Sequence, residues 1–192
     1  KVCNGGRWKR SVQSFELTLL RQTSKNKKQL EEKTYKPRKT NDFMLRERGK
    51  WRVIKAHKIE DRQVYKSFCE NELKPSTRNL IVENNAASQI GKGTFYSIKN
   101  SKKGLAKATR KWKNDFYVVT FDFHDYFGSI PHKDISEVIH LTDEDSLWLL
   151  QQYIDVFPAD KGIGIGGEPS QDISIVYPRS EEHTSELQSL AY

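Results

Sequence analysis

The segment at residues 116–121 constrains the fold of this chain more than any other, because all six of its residues are aromatic or β-branched. Such residues favour a strand that packs against neighbours on a pleated, buried surface. Asp122 follows directly, and the aromatic pair Tyr126 and Phe127 comes four and five residues after it. We therefore predict a buried strand that ends in a carboxylate and continues into an aromatic turn.

The remaining pattern predicts mostly helices around one β-hairpin. A charged, glycine-containing turn between two extended runs predicts the hairpin at residues 42–58. We expect a basic helix from Thr94 to Trp112 whose apolar residues, Phe95, Ile98 and Leu105, face inward. We also predict two helices within residues 1–35 that join near Thr23, and one helix that Asp61 caps and Pro75 ends. Further helices are predicted to start near Asp134 and to cover residues 143–157, and a helix or strand is predicted from Ser170.

Composition favours a polyanionic partner and excludes several other classes of protein. Lysine and arginine outnumber acidic residues by 33 to 25, and cations that neutralise phosphates release condensed counterions. Cys3 and Cys69 are too few for a disulfide framework or a cysteine-rich zinc site, so we interpret both as free thiols. No apolar run reaches the roughly 18 residues of a membrane span, and the first residues are too polar for a signal peptide. We predict a cytoplasmic protein with no membrane partner.

The strongest motif covers residues 118–132, reads VVTFDFHDYFGSIPH, and resembles motif A of reverse transcriptases. The resemblance implies that Asp122 is the catalytic carboxylate and that it binds Mg²⁺ together with the backbone of Phe123. It also implies that Asp125, Tyr126 and Phe127 contact the incoming dNTP, with Phe127 as a steric gate against a ribose 2′-hydroxyl. The alternative is a strand and turn with a capping aspartate and core aromatic residues.

The second motif covers residues 162–171, reads GIGIGGEPSQ, and resembles motif B of the same family. The resemblance implies that Ile165 and Gly166 lie against the dNTP and that Ser170 and Gln171 contact template and primer. Gly164 departs from the family pattern, because many members carry proline there, and we expect a looser loop as a result.

The same letters satisfy the dinucleotide-binding pattern G-x-G-x-x-G. That motif requires a strand directly before it and a helix that opens within it. Here a predicted helix and Pro158 precede the glycines, and Pro169 follows them. The context therefore argues against dinucleotide binding.

A third match covers residues 49–54 and 59–64, which resemble the fingers hairpin and following helix of the family. The resemblance implies that Lys50 and Arg52 close over the triphosphate and neutralise its charge. Arg62 either contacts the template or pairs with Asp61 or Glu60, and the sequence leaves both alternatives open. Judged alone, the segment is also compatible with a solvated basic hairpin.

The pattern at the end of the chain predicts a different origin for the tail. Residues 179–189 read RSEEHTSELQS, which matches the translation of a common sequencing-library adapter, and we interpret residues 179–192 as an artefact. The Tyr-x-Asp-Asp motif of the family is missing, and the resemblance implies that it follows Pro178 in the parent protein. We therefore expect the fragment as given to be inactive. We divide it into N-terminal helices and fingers at residues 1–115, a partial palm at residues 116–178, and the tail at residues 179–192.

These matches keep the family's order, so the chain resembles a bacterial or phage-type reverse transcriptase with an α+β right-hand polymerase fold. The resemblance implies nucleotidyl transfer from a dNTP to a primer 3′-hydroxyl on an RNA template, with two Mg²⁺ ions that Mn²⁺ could replace. One alternative is a template-independent, polymerase-like phage-defence protein. Another is a non-enzymatic RNA-binding module of the same fold, which would depend on the basic residues between 99 and 113 rather than on Asp122. The lineage within the family and the oligomeric state stay open.

Overall fold

The computed structural model describes residues 2–4, 6–47 and 49–179. Residue 179 is described by its backbone only. Within this part of the chain, helices surround a single antiparallel hairpin, which confirms a mixed α and β protein. The strands are β1 (Asn41–Glu47) and β2 (Lys50–Ala56). The helices are α1 (Arg10–Leu17), α2 (Leu19–Glu31), α3 (Ile59–Phe68), α4 (Lys74–Thr77), α5 (Thr94–Trp112), α6 (Tyr126–Ser129), α7 (His132–Val138), α8 (Glu144–Ile154) and α9 (Glu168–Val176), with a π-helical turn at Cys69–Leu73 and 3₁₀ turns at Arg78–Leu80 and Tyr177–Arg179.

The predicted hairpin is confirmed. The register runs from Asn41 opposite Ala56 to Glu47 opposite Lys50, so the two strands pair over their full length. Both faces of the hairpin remain largely open to solvent, including Phe43 and Trp51. The hairpin therefore projects from the body of the protein instead of forming part of its core.

Several helix boundaries differ from those predicted. The first two helices join at Thr18 rather than near Thr23, and helix α3 begins after Lys58 instead of being capped by Asp61. The helical path also continues past Pro75, which lies at the start of α4 directly after the π-helical turn. In contrast, Asp143 caps α8 as a true N-cap residue, accepting a hydrogen bond of 2.8 Å from the Ser146 N–H.

Asp61 is instead a buried anchor. Its carboxylate accepts hydrogen bonds from the Tyr35 hydroxyl (3.0 Å), the Arg38 backbone N–H (3.0 Å) and the Arg38 guanidinium (2.6 Å). A fully buried carboxylate needs such compensation, because desolvation otherwise disfavours its charge. The network fastens the connection between α2 and β1 to helix α3, and Asp61 pairs with Arg38 rather than with Arg62.

The hydrophobic core crosses the predicted boundary at residue 115. Tyr65, Phe68 and Leu73, from α3 and the π-helical turn, pack with buried residues of α7, α8 and α9. The core members from the second half of the chain are Ile130, Ile135, Val138, Ile139, Leu150, Tyr153, Ile154, Phe157, Ile163, Ile173 and Val176. The segment predicted as fingers and the segment predicted as palm therefore share one core.

The prediction of a buried strand at residues 116–121 is wrong. The structure leaves this segment without regular secondary structure, and Tyr117, Val118 and Val119 are 94%, 68% and 66% exposed. Strand propensity measures how well a side chain fits a half-buried pleated surface, so it has no effect where no neighbour supplies that surface. Within the described part of the chain no strand pairs with these residues.

The limits predicted for α5 are confirmed, but the inward orientation of its apolar residues is wrong. Phe95, Ile98 and Leu105 are 80%, 50% and 44% exposed, and no residue of this helix is buried. Among the described residues, no helix is both long enough and apolar enough to cross a membrane.

The glycine loop, which we define as residues 162–167, joins the hairpin to the rest of the protein. On one side the Lys55 N–H donates to the Ile165 carbonyl at 2.9 Å, forming a parallel bridge with β2. On the other side the Ile163 N–H donates to the Phe127 carbonyl at 2.8 Å, next to the aromatic turn. The loop is therefore clamped between two segments that the sequence places far apart.

Gly164 is packed too closely for any side chain, which corrects the expectation of a loose loop. A Cβ atom at this position would lie 2.5 Å from Cε1 of the buried Phe157 ring and 2.8 Å from Cδ of Lys55. Gly166, at φ +124°, has a backbone conformation that side chains disfavour, and it also lies against the Lys55 carbonyl. Glycine at these positions lets β2 approach the loop backbone directly.

We predict that Gly164→Ala lowers the free energy of unfolding by about 1–3 kcal/mol, because the new methyl group overpacks against Phe157. Gly104→Ala is the matched control. Gly104 lies inside α5, and a Cβ atom added there would meet no neighbour within 4 Å, so alanine should be neutral or stabilise by up to ~1 kcal/mol. Denaturant unfolding of both variants measures the difference. Equal stability of the two variants would contradict the packing described for the loop.

Candidate functional site

One cleft of about 1250 Å³ opens between the hairpin, the aromatic turn and the glycine loop. Its walls come from three parts of the sequence that were singled out independently. The hairpin contributes Lys50, Trp51, Arg52, Val53 and Lys55. The aromatic turn contributes residues 122–128, and the segment that contains the glycine loop contributes residues 157–159 and 161–165. The folded chain therefore brings Asp122, Phe123, Asp125, Tyr126, Phe127, Lys50, Arg52 and Ile165 to the same cleft.

The two carboxylates of the cleft lie on the aromatic turn and are exposed. Asp122 lies in the irregular segment before α6 and forms no ion pair with another described residue. Asp125 adopts a left-handed conformation at φ 45° and ψ 47°, and its carboxylate folds back over Gly128, where a side chain would collide with it. Asp122 is thus the less constrained of the two carboxylates.

The aromatic residues of the turn form a continuous series. The Phe123 and Tyr126 ring centroids are 5.2 Å apart, and those of Tyr126 and Phe127 are 5.9 Å apart. The Tyr126 hydroxyl donates to the Ser174 carbonyl of α9 at 2.7 Å, and burial raises the pKa of this hydroxyl above its ordinary range. Phe127 is half-buried, since it lines the cleft and also packs against the hydrophobic core. Tyr126 therefore anchors the turn, while Phe127 lies between the core and the cleft.

The hairpin supplies cations to the cleft. Lys50 and Arg52 lie at the turn end of β2, and Arg52 makes one long, exposed ion pair of 3.4 Å with Glu47. Exposed pairs of this kind contribute little, so the guanidinium is available to another anion. Lys55, by contrast, is engaged with Asp42 at 3.0 Å. The cleft is thus lined by two available cations and by the Asp122 carboxylate.

The residues predicted to contact template and primer lie elsewhere. Arg62 and Gln171 line a second cavity of about 420 Å³. Gly166, predicted to lie against the dNTP, lines this second cavity and not the cleft. Ser170 is fully buried, and its hydroxyl is hydrogen-bonded to the Tyr153 hydroxyl, so its side chain supports the start of α9 from inside. The exposed Arg62 has no ion pair with a described residue, which leaves its predicted contact with template open.

His57 is a buried residue of the second cavity that no sequence pattern singled out. It is only 6% exposed, and neither ring nitrogen forms a hydrogen bond with a described residue. The rings of Tyr65, Tyr153 and Phe157 surround it, with centroids 5.0, 5.4 and 6.4 Å away. Burial lowers the pKa of His57, so the ring is held in its neutral form. A lone histidine after a strand has no distinguishing pattern, so only the fold reveals this environment.

A second feature absent from the sequence interpretation is a charged cluster below the glycine loop. Potential ligand atoms of Cys69, Glu168 and Asp172 lie within 4.8 Å of one another. The Lys66 and Lys74 ammonium groups each donate to the Glu168 carboxylate at 2.7 Å, so that charge is already compensated. The cluster therefore contains ionic links from α3 and α4 to α9, and it is separate from the cleft that contains Asp122.

The comparisons with known proteins assign no family to this chain. No protein-family model matches the chain, and no curated protein matches it significantly.

Asp172 makes stability depend on pH in an unusual direction. Burial raises the pKa of its carboxyl group, against the opposing effect of Lys74, so the native state keeps a proton that the unfolded state releases above about pH 4. The native state then binds more protons, and the free energy of unfolding falls as pH rises through this window. We predict that Asp172→Asn removes this fall, so the variant gains stability relative to wild type between pH 4 and pH 7.

Denaturant unfolding at the two pH values measures this effect. Asp115→Asn, at an exposed position, is the control and should follow wild type at both values. If Asp172→Asn and wild type show the same pH dependence, the carboxyl group does not carry the buried proton.

Proposed function

We propose that this chain is the fingers and front palm of an RNA-directed DNA polymerase, and that its cleft binds an incoming dNTP. The observation that carries the proposal is the convergence of three sequence segments on one cleft, each of which resembles a nucleotide-contacting motif of reverse transcriptases. Such convergence is not required by sequence order, because β2 and the aromatic turn are separated by more than sixty residues. The glycine loop lies between them and bonds to both.

The donor groups of the cleft suit a hard divalent cation. Mg²⁺ prefers oxygen ligands, keeps several waters, and is held by one or two carboxylates together with substrate phosphates. Asp122 would supply the carboxylate and the Phe123 carbonyl a second oxygen, and Mn²⁺ takes the same ligands. When bound, the metal would neutralise phosphate charge and lower the pKa of the primer hydroxyl.

The protein's own residues then divide the work of binding. Lys50 and Arg52 hold the triphosphate from the hairpin side, where charge-assisted hydrogen bonds to phosphate are strong. Asp122, in the same cleft, sets the position of the α-phosphate of the nucleotide. Because phosphoryl transfer depends mainly on positioning and electrostatics, these opposed charges are the arrangement the reaction needs.

The sugar of the nucleotide would lie against Phe127. A half-buried ring supported by the core cannot move away, so a ribose 2′-hydroxyl would meet it directly. On the far side of the glycine loop, Arg62 and Gln171 would contact the RNA template, next to the neutral His57 ring. Ile165, which lines the cleft, would lie beneath the base of the nucleotide.

Nucleotide binding to this chain tests the proposal without requiring turnover. Isothermal titration with dATP should show binding in Mg²⁺ that weakens in a chelator, and Asp122→Asn should abolish the difference between the two conditions. The double variant Lys50→Gln/Arg52→Gln should bind at least about tenfold more weakly, since each charged hydrogen bond contributes about 1.5–3 kcal/mol. The control Lys25→Gln/Lys28→Gln removes the same charge from α2 and should bind like wild type. Equal weakening in both double variants would rule out a specific triphosphate site.

We further predict that Phe127→Val strengthens binding of ATP while changing dATP binding little, because the smaller side chain makes room for the 2′-hydroxyl. If Phe127 acts only as a core residue, the variant loses a few kcal/mol of stability and binds both nucleotides less well. Circular dichroism and thermal unfolding confirm that the variant is folded. An unchanged ratio of ATP to dATP affinity in a folded variant would exclude the gate.

A further inference from the structure

The net positive charge of this chain is confined to one segment. Residues 84–114 contain eight lysine and arginine residues and no aspartate or glutamate. The rest of the chain holds 25 basic and 25 acidic residues. The charge of this segment therefore equals the formal net charge of the whole chain, +8. Charge concentrated in this way produces a local field that attracts a polyanion.

Helix α5, which forms most of the segment, is largely exposed, although Tyr96 and Asn100 contact the preceding loop. It has 19 residues, which corresponds to a rod of about 28 Å, and none of them is buried. Lys99, Lys103, Lys107 and Arg110 are spaced by four, four and three residues, so they lie along one face. A straight row of cations on an exposed rod can follow the phosphates of a nucleic-acid strand.

These cations lack acidic partners in the described part of the chain. None of the basic side chains at positions 99, 102, 103, 107, 110, 111 and 113 forms an ion pair with a described residue. Elsewhere the lysines of the π-helical turn region and of α2 pair with nearby carboxylates. The absence of internal compensation leaves the charge of α5 for an external anion.

Aromatic side chains accompany the cations at both ends of the helix. At its start, a depression of about 480 Å³ is lined by Lys92, Phe95, Tyr96 and Lys99, with the Phe95 ring 80% exposed. The Lys92 ammonium lies 5.0 Å from the Tyr96 ring centroid, and at the other end Lys111 lies 4.5 Å from that of Trp112. Exposed rings beside cations are the arrangement on which unpaired bases stack while their phosphates are neutralised.

We propose that α5, with the residues 91–93 before it, binds single-stranded RNA at a surface separate from the cleft. The row from Lys99 to Arg110 contacts consecutive phosphates, and Phe95 stacks on a base at the depression. The choice of RNA rests on the proposed function, in which RNA is the template, whereas the binding surface rests on the charge and exposure of α5.

Fluorescence anisotropy with a labelled oligouridylate, measured over a range of salt concentrations, tests this surface. The variant Lys99→Gln/Lys103→Gln/Lys107→Gln/Arg110→Gln should bind at least tenfold more weakly. The slope of log affinity against log salt should fall by about three, because each lost contact with a single strand removes about 0.7. Phe95→Ala should weaken binding by about tenfold with little change in this slope, since stacking releases no counterions.

The control variant carries Arg21→Gln/Lys25→Gln/Lys27→Gln/Lys28→Gln, four exposed positions on α2, and should stay within about twofold of wild type. Equal loss in the α5 and α2 variants would mean that net charge alone attracts RNA, and would overturn the proposal. Tighter binding to single-stranded DNA of the same length, or to vesicles of phosphatidylserine and phosphatidylcholine, would also overturn it. Circular dichroism shows that each variant keeps its helix content.

Failure of this proposal can be distinguished from failure of the proposed function. Asp122→Asn should leave oligouridylate binding unchanged, because Asp122 lies in the cleft and not on α5. If dATP does not bind but the α5 variant still loses RNA, the polymerase assignment alone is wrong. If dATP binds as expected but the α5 variant keeps wild-type affinity for RNA, the RNA surface alone is wrong.

Discussion

The backbone hydrogen bonds on both sides of the glycine loop hold the candidate site together. Lys55 donates to Ile165 on one side, and Ile163 donates to the Phe127 carbonyl on the other. Each such bond contributes only about 1 kcal/mol, so the arrangement also depends on close packing. Gly164 permits that packing by leaving no side chain between the loop, Phe157 and Lys55. The hairpin and the aromatic turn keep their relative positions because both are hydrogen-bonded to this loop.

Charged residues in this protein fall into two groups with different surroundings. Asp61 is buried and bonded to Tyr35 and Arg38, and Glu168 is bonded to two lysines, so these carboxylates link structural elements. Buried charges require such compensation. Asp122 and the cations of α5 are exposed and have no ionic partners in the described part of the chain. Uncompensated charge concentrated at a cleft and along one helix is what both proposals rest on.

The glycine loop also separates two chemically different spaces. On the cleft side, charged groups at Lys50, Arg52 and Asp122 suit phosphates and a cation. On the other side, the second cavity contains a neutral, buried His57 that lacks hydrogen bonds, along with Arg62 and Gln171. Residues 162–165 of the loop line the cleft, whereas Gly166 and Gly167 line the second cavity.

The amino-acid sequence by itself determined the features that depend on local signals. The hairpin, the limits of α5 and the concentration of candidate residues in three motifs could all be predicted, because propensity, turn chemistry and motif spacing act over a few residues. Only the tertiary structure decided burial. Residues 116–121 have the composition of a core strand yet lie exposed, and α5 has an apolar face that nothing in the described chain covers. His57 and the cluster of Cys69 with Asp172 likewise emerged only from folding. Burial depends on neighbours that are distant in sequence, and periodicity identifies an apolar face without showing what packs against it.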